Sequence, residues 1–139
     1  MPRFSKASES RLETCHPDLR RLFREVVKHF DCSILEGVRT EDRQQELFAQ
    51  GRTEPGSIVT YCDGITRKSN HQAKDDGWSH AVDAAPYFAE APHIRWKDEN
   101  SFYRFAGFVE AIAYNLGVPI KWGGDFKKLK DLPHWELDP

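Results

Sequence analysis

The stretch from Pro17 to Phe30 constrains the fold more than any other part of the sequence. Leu19, Leu22, Phe23, Val26, Val27 and Phe30 recur at spacings of three, one, three, one and three, which draws a single apolar stripe along one side of a helix. Pro17 suits the first turn, where a missing N–H costs nothing. A stripe of this kind has to be buried against another layer. A second segment, from about Asn100 to Leu116, carries Phe102, Phe105, Val109, Ile112, Ala113 and Leu116 on one face and ends at Gly117. A third helix is predicted after Thr40, which can cap it, with Glu41 and Asp42 in its first turn, Leu47 and Phe48 inside and Gly51 past its end. Four short apolar runs read as strands: Cys32 to Val38, Ala81 to Ala85 (stopped by Pro86), Val118 to Trp122, and His134 to Leu137.

The order is helix, strand, helix, long loop, strand, helix, strand, strand. It lacks the strict alternation of a parallel doubly wound fold. The expectation is an α+β domain with helices packed on a small, mainly antiparallel sheet. With 139 residues the chain supports one core, so residues 1–139 are read as one domain. From Gly51 to Trp78 there is little periodicity and much Gly, Asp, Asn and Ser; a loop that long in so small a domain is functional or disordered.

Composition closes off several functions. Twenty basic and 22 acidic residues give a net charge of −2 with both signs interspersed, which is not the footprint of a nucleic-acid binder. No apolar run approaches the roughly 20 residues that span a bilayer. The opening Met1-Pro2-Arg3-Phe4-Ser5-Lys6 has no apolar stretch of a secretory signal, so synthesis in the cytoplasm is expected. Cys15, Cys32 and Cys62 are odd in number and form no CxxC pair, which reads as free thiols rather than a disulfide framework or a cysteine metal site.

Three segments carry metal-site chemistry: Ser69-Asn70-His71, Ser79-His80-Ala81-Val82-Asp83, and Asp131-Leu132-Pro133-His134-Trp135-Glu136-Leu137. His71, Asp83 and His134 together offer two imidazoles and one carboxylate. That set fills three tetrahedral positions around zinc and leaves a fourth for water or substrate, the pattern of a catalytic site. Hard cations that prefer all-oxygen shells suit two histidines less well. Spacing alone does not establish the site, since no local pattern such as HExxH is present.

These motifs resemble those of the VanY-like zinc D-Ala-D-Ala carboxypeptidase and L-alanyl-D-glutamate endopeptidase family, of the hedgehog/DD-peptidase fold. The elements are Ser-x-His at 69–71, Ala-x-Asp at 81–83, and an acidic residue three before a His at 131–134. Ala81-Val82-Asp83-Ala84-Ala85-Pro86-Tyr87 is similar to small phage endolysins, as is Glu36-Gly37-Val38-Arg39-Thr40 followed by Gln44, Leu47, Gln50 and Gly51. The similarity extends to Ser8–Leu22 and so runs along nearly the whole chain. Eleven residues separate His71 from Asp83, more than the family usually has, which reads as an insertion, Lys74–Trp78, in the connecting loop. The insertion makes His80 a rival ligand. In an extended strand His80 and Asp83 point to opposite faces, so His71 is preferred and His80 is expected at the rim or in solvent. His16, His29 and His93 match no ligand motif and read as surface residues.

The resemblance implies that one zinc ion is held by His71, Asp83 and His134, and that Asp131 is the general base and acid. Glu136, two residues after His134, is the competing base. It implies further that Arg39 faces the site, to stabilise an oxyanion or a substrate carboxylate, and that Ser69 binds substrate. Asp125 is a weaker candidate for substrate binding, and Trp122, Trp135 and Tyr87 are candidates for the cleft wall or, at least as readily, for the core. The implied activity is a metallopeptidase acting on peptidoglycan stem peptides, first as an L-alanyl-D-glutamate endopeptidase of a phage or prophage in host lysis. On that reading the protein is a monomer that reaches the wall with the help of a holin. The alternatives are a D-Ala-D-Ala carboxypeptidase or dipeptidase of wall metabolism, and a non-catalytic, zinc-stabilised wall-binding module.

Overall fold

A computed structural model describes residues 2–139. Four helices, α1 (Lys6–Leu12), α2 (Pro17–His29), α3 (Glu41–Ala49) and α4 (Glu99–Leu116), surround one sheet of four strands, β1 (Cys32–Glu36), β2 (Ala81–Pro86), β3 (Ile120–Trp122) and β4 (His134–Leu137). The sheet order is β1-β2-β4-β3 and every pairing is antiparallel. This is the expected α+β domain.

The α2 stripe is buried as its spacing predicts: Leu19, Leu22, Phe23 and Val26 have no exposed surface. Each such side chain contributes about 1.5–3 kcal/mol by leaving water. They pack with α4 and with one face of the sheet, where Cys32, Ile34, Val82, Ala84 and Trp135 join the same cluster. α4 ends where Gly117 adopts φ 71°, a left-handed cap that suits glycine. β3 is shorter than expected, since Val118 and Pro119 precede the ladder. α1 was not anticipated. With seven residues it buries Ser8 and Leu12 and is held by the Ser5 cap and by the Glu9–Arg24 ion pair rather than by an apolar stripe.

The aperiodic stretch between α3 and β2 is ordered by polar clamps. Gln44, fully buried on α3, donates to the Cys62 carbonyl at 2.8 Å and to Thr60 Oγ1 at 3.2 Å. Gln72 donates to the Gly64 carbonyl at 3.0 Å and accepts from Ser69 N–H at 2.9 Å. Asp63 accepts from three backbone N–H groups, those of Ile65, Thr66 and Arg67, which hold its carboxyl well below the usual range together with the Thr66 hydroxyl. These bonds turn a segment without a core of its own into one wall of a cleft.

Candidate active site

The alternation of β4 decides which of its side chains reach the cleft. Trp135 enters the core, while His134 and Glu136 point to the other face of the sheet. β2 pairs with β4 so that Asp83 stands opposite His134 and Val82 opposite Trp135. On the other side of β2, β1 carries an irregularity between Ile34 and Glu36 and sets Glu36 against Asp83. Three site-facing residues are therefore aligned by one stretch of ladder.

His71 comes from the turn before β2. Its N–H donates to Ser69 Oγ at 3.1 Å, and its carbonyl accepts from the Arg39 N–H at 2.8 Å. The ring is almost wholly buried, with Nδ1 2.8 Å from the Gly37 carbonyl. Gly37 has to be glycine, because a Cβ there would lie 2.3 Å from the Arg11 carbonyl oxygen. His71 Nε2 thereby faces Asp83 Oδ1 at 3.2 Å and His134 Nδ1 at 3.2 Å, and His134 Nδ1 lies 3.4 Å from Asp83 Oδ1. These separations match the edge of a tetrahedron built on zinc–ligand bonds of roughly 2.0–2.1 Å, which is about 3.3 Å. The donor set and its spacing fit a zinc ion.

The electrostatics agree with a site built for a cation. Burial alone would raise the Asp83 carboxyl, but hydrogen bonds and charge from His134 and His71 outweigh it and hold Asp83 well below the usual carboxylate range. Burial would lower His134, yet its bonds to Asp83 and Glu136 raise it to about 9. Glu136 Oε1 lies 2.7 Å from His134 Nε2, and Glu136 Oε2 accepts from Asn70 at 2.8 Å. So Glu136, the rival base, is committed to orienting His134. Asp131 takes no side-chain hydrogen bond among the described residues. Its carboxyl is raised first by burial and then by the negative charge of Asp83, with the imidazoles and Arg39 offsetting in part.

His71, His134 and Glu136 open on one cleft of about 820 Å³, which Arg39, Ser69 and Asp131 also line. Arg39 is pinned by an ion pair with Glu36 and a 2.8 Å bond to Gln44, and its guanidinium lies 3.9 Å from Asp83. Ser69 Oγ is engaged by the His71 N–H. Gly123 allows the approach of the loop that carries Asp131: a Cβ there would meet the Asp131 carbonyl at 2.2 Å and His134 Cβ at 2.8 Å.

Other expectations need correction. Trp122 and Trp135 do not wall the cleft; they stack on each other in the core at 5.9 Å. Tyr87 stacks on His93 and does not line the cleft either, and the aromatic lining is Phe48, Tyr61 and Phe126. Asp125 lies in the short turn Gly123–Asp125, facing α4 outside the cleft. His16 caps α2 and packs against His80, so it is more than a surface residue. Gln44, Gln72 and Glu136 hold the site together. The spacing of the two glutamines carries no chemical signal, whereas Glu136 was visible through its place beside His134.

Comparison with known proteins follows from this geometry. A sequence model of the family described as phage L-alanyl-D-glutamate peptidase matches residues 1–137. The chain is 37% identical over 117 residues to the peptidoglycan L-alanyl-D-glutamate endopeptidase CwlK of Bacillus subtilis (strain 168), covering 81% of this chain and 64% of that protein's length. It is 27% identical over 134 residues to the L-alanyl-D-glutamate peptidase of Escherichia phage T5, covering 93% of this chain and 85% of the other. The crystal structure of the Serratia marcescens L-Ala D-Glu endopeptidase ChiX superposes with a TM-score of 0.73 at 28% identity, covering 99% of this chain and 91% of that one. Fold and site together define a small α+β domain of four helices on an antiparallel sheet, with two histidines and a carboxylate converging at one cleft. The chain belongs to the phage L-alanyl-D-glutamate peptidase family.

Proposed function

We infer that this protein hydrolyses the amide between L-alanine and D-glutamate in peptidoglycan stem peptides, using one zinc ion held by His71, Asp83 and His134. The observation that carries the reading is the triangle of donor atoms, 3.2–3.4 Å on each edge, at the floor of a cleft that Asp131 also lines. The relatives' names supply the bond. A zinc ion in this site would polarise the scissile carbonyl and acidify a water.

The chain's own residues do the rest. Asp131, free of competing hydrogen bonds and raised by burial, takes a proton during amide cleavage and gives it to the leaving amine. Glu136 and the Gly37 carbonyl fix the two imidazole rings. Arg39, held by Glu36 and Gln44, presents a fixed cation to developing negative charge or to a substrate carboxylate. Ser69 shapes the turn that carries His71 and adds a polar rim for the peptide. Arg52, Arg67 and Lys128 line the same cleft without an ion pair among the described residues, which suits an acidic stem peptide.

The likeness to the phage T5 protein supports a role in host lysis: a monomer that acts on the wall after a holin opens the membrane. Among the described residues no helix is long and apolar enough to cross a membrane. The deciding experiment is digestion of purified peptidoglycan with and without a chelator, with the released ends read by mass spectrometry. New amino ends on D-glutamate, lost on chelation and restored by zinc, are expected. Release of terminal D-alanine would reassign the chain as a carboxypeptidase. No cleavage by zinc-loaded protein would leave a wall-binding module.

A further inference from the structure

Two groups of histidine and carboxylate side chains among the described residues have ligand atoms close enough for one metal ion, and only one of them belongs to the cleft. The second is His16, Asp76 and His80, whose ligand atoms all lie within 4.8 Å of one another. His80 Nε2 stands 2.7 Å from Asp76 Oδ2, and the His16 and His80 rings meet edge to face with centroids 5.0 Å apart. We propose that His16, Asp76 and His80 form a second zinc site, its fourth position left to water, which clamps the inserted loop Lys74–Trp78 to the start of α2 and the head of β2.

The backbone around the site is fixed before any ion arrives. His16 N–H donates to the Ser79 carbonyl at 2.9 Å, and His80 N–H donates to the Asn70 carbonyl at 3.0 Å. The His16 ring is oriented as well: its Nδ1 accepts from the Asp18 N–H at 3.0 Å, which leaves Nε2 as the free donor atom. Asp76 Oδ1 accepts from the Trp78 N–H at 2.9 Å and turns the other oxygen to His80. Gly77, at φ 84°, gives the loop the tight turn that sets Asp76 in place. Two imidazoles and a carboxylate select a zinc-like ion over calcium or magnesium. His80 Nε2 and Asp76 Oδ2 stand closer than the roughly 3.3 Å edge of a zinc tetrahedron, and all three ligand atoms lie within 4.8 Å, so the side chains adjust on binding. All three are partly or fully solvent-exposed and have room to move.

Opposing charges are present and do not outweigh the site. The positive end of α2 disfavours a cation, and Asp18 in its first turn offsets it. The Arg20 guanidinium lies over the Trp78 ring, 4.6 Å from its centroid, where the ring face takes up part of its charge. The benefit is local. The insertion contributes nothing to the core cluster, and an ion at this point holds its Asp76 carboxylate against two rigid elements. The His80 N–H bond then ties the clamp to the segment Asn70–His71, and Asn70 in turn holds Glu136.

The test is the zinc stoichiometry of the full chain by equilibrium dialysis over a range of buffered free zinc, with peptidoglycan hydrolysis measured alongside. The wild type should bind two ions. His80→Gln and Asp76→Asn should each bind one and keep hydrolysis, while Asp83→Asn should also bind one and lose hydrolysis. Asp76→Asn retains the acceptor for the Trp78 N–H, and His16→Asn retains an acceptor at the start of α2, so loss of an ion in these variants is not loss of fold. A wild-type count of one that survives His80→Gln overturns the proposal. So does a count of two that survives both His80→Gln and Asp76→Asn. A count of one that survives Asp83→Asn and vanishes in His80→Gln supports this site and instead sinks the assignment of the cleft metal.

Discussion

Asp83 and His134 face each other directly across two neighbouring antiparallel strands, with Oδ1 and Nδ1 3.4 Å apart. On the reverse side of the same ladder, Val82 faces Trp135 in the core. A slip of one residue in either strand would send its site residue to the wrong face of the sheet. Core packing and site geometry are therefore one specification, and the cleft inherits its rigidity from the buried tryptophan. His71 then needs only one turn, pinned to Arg39 and Gly37, to complete the triangle.

Glu136 holds His134 without being a ligand itself. Replacing it as Glu136→Gln should weaken zinc binding by roughly 10–100-fold while the fold is retained. Competition against a chromophoric chelator measures this. Unchanged affinity would mean that the ring is oriented by packing alone, with Phe126 at a centroid distance of 5.6 Å.

Asp131→Asn removes the proposed proton acceptor and leaves the side-chain donors of His71, Asp83 and His134 in place. Turnover on wall peptides should fall by about 10²–10⁴-fold, with zinc content unchanged. Wild-type turnover in this variant would move the acid–base role elsewhere, and Glu136 would be the next residue to examine.

Much of this was legible in the sequence, and the failures share a cause. Periodicity revealed α2 and α4 because each buries a long stripe, whereas α1 has no stripe and is held by a cap and ion pairs. The three ligand candidates stood out as residue types; Asp83 and His134 lie within strands, whereas His71 sits in a turn of the long loop, away from any strand in sequence. Their supports did not all show: the Gly37 carbonyl is a backbone group, and Gln44 on α3 and Gln72 in the aperiodic loop act through tertiary bonds that no spacing reveals. The tryptophans, open between cleft wall and core in the sequence, went to the core for a related reason. Next to a motif, an aromatic residue alternates with the site residues along a strand, and Trp135 between His134 and Glu136 has to face the core.

The thiols offer a check on core and cleft together. Burial raises Cys15 to about 12 and raises Cys32 as well, so both are thiols at neutral pH and closed to reagents. Cys62 is partly exposed and lines the cleft. Native protein at pH 8 should react with one equivalent of a disulfide reagent, at Cys62, and with three after unfolding. Fast reaction at a second native site would show that the packing around Cys15 or Cys32 is looser than described.

Stability of the metal-free protein should depend on pH through His134. Its folded value of about 9 lies above the ordinary value of 6.5, because bonds to Asp83 and Glu136 overcome the effect of burial. Protonation therefore stabilises the fold fully below pH 6.5, and the contribution fades as pH rises through 9. Asp83 and Glu136 shift the opposite way, so their contribution is lost only on acidification and does not change across this alkaline window. The Tm of metal-free protein should fall between pH 6.5 and 9.5, and His134→Gln should flatten that fall. Zinc at Nδ1 displaces the same proton, so the apparent zinc affinity should rise across the window in which the metal-free fold weakens. A flat Tm in the wild type would mean that His134 is neutral in the folded chain, and that Asp83 is held by His71 and Arg39 instead.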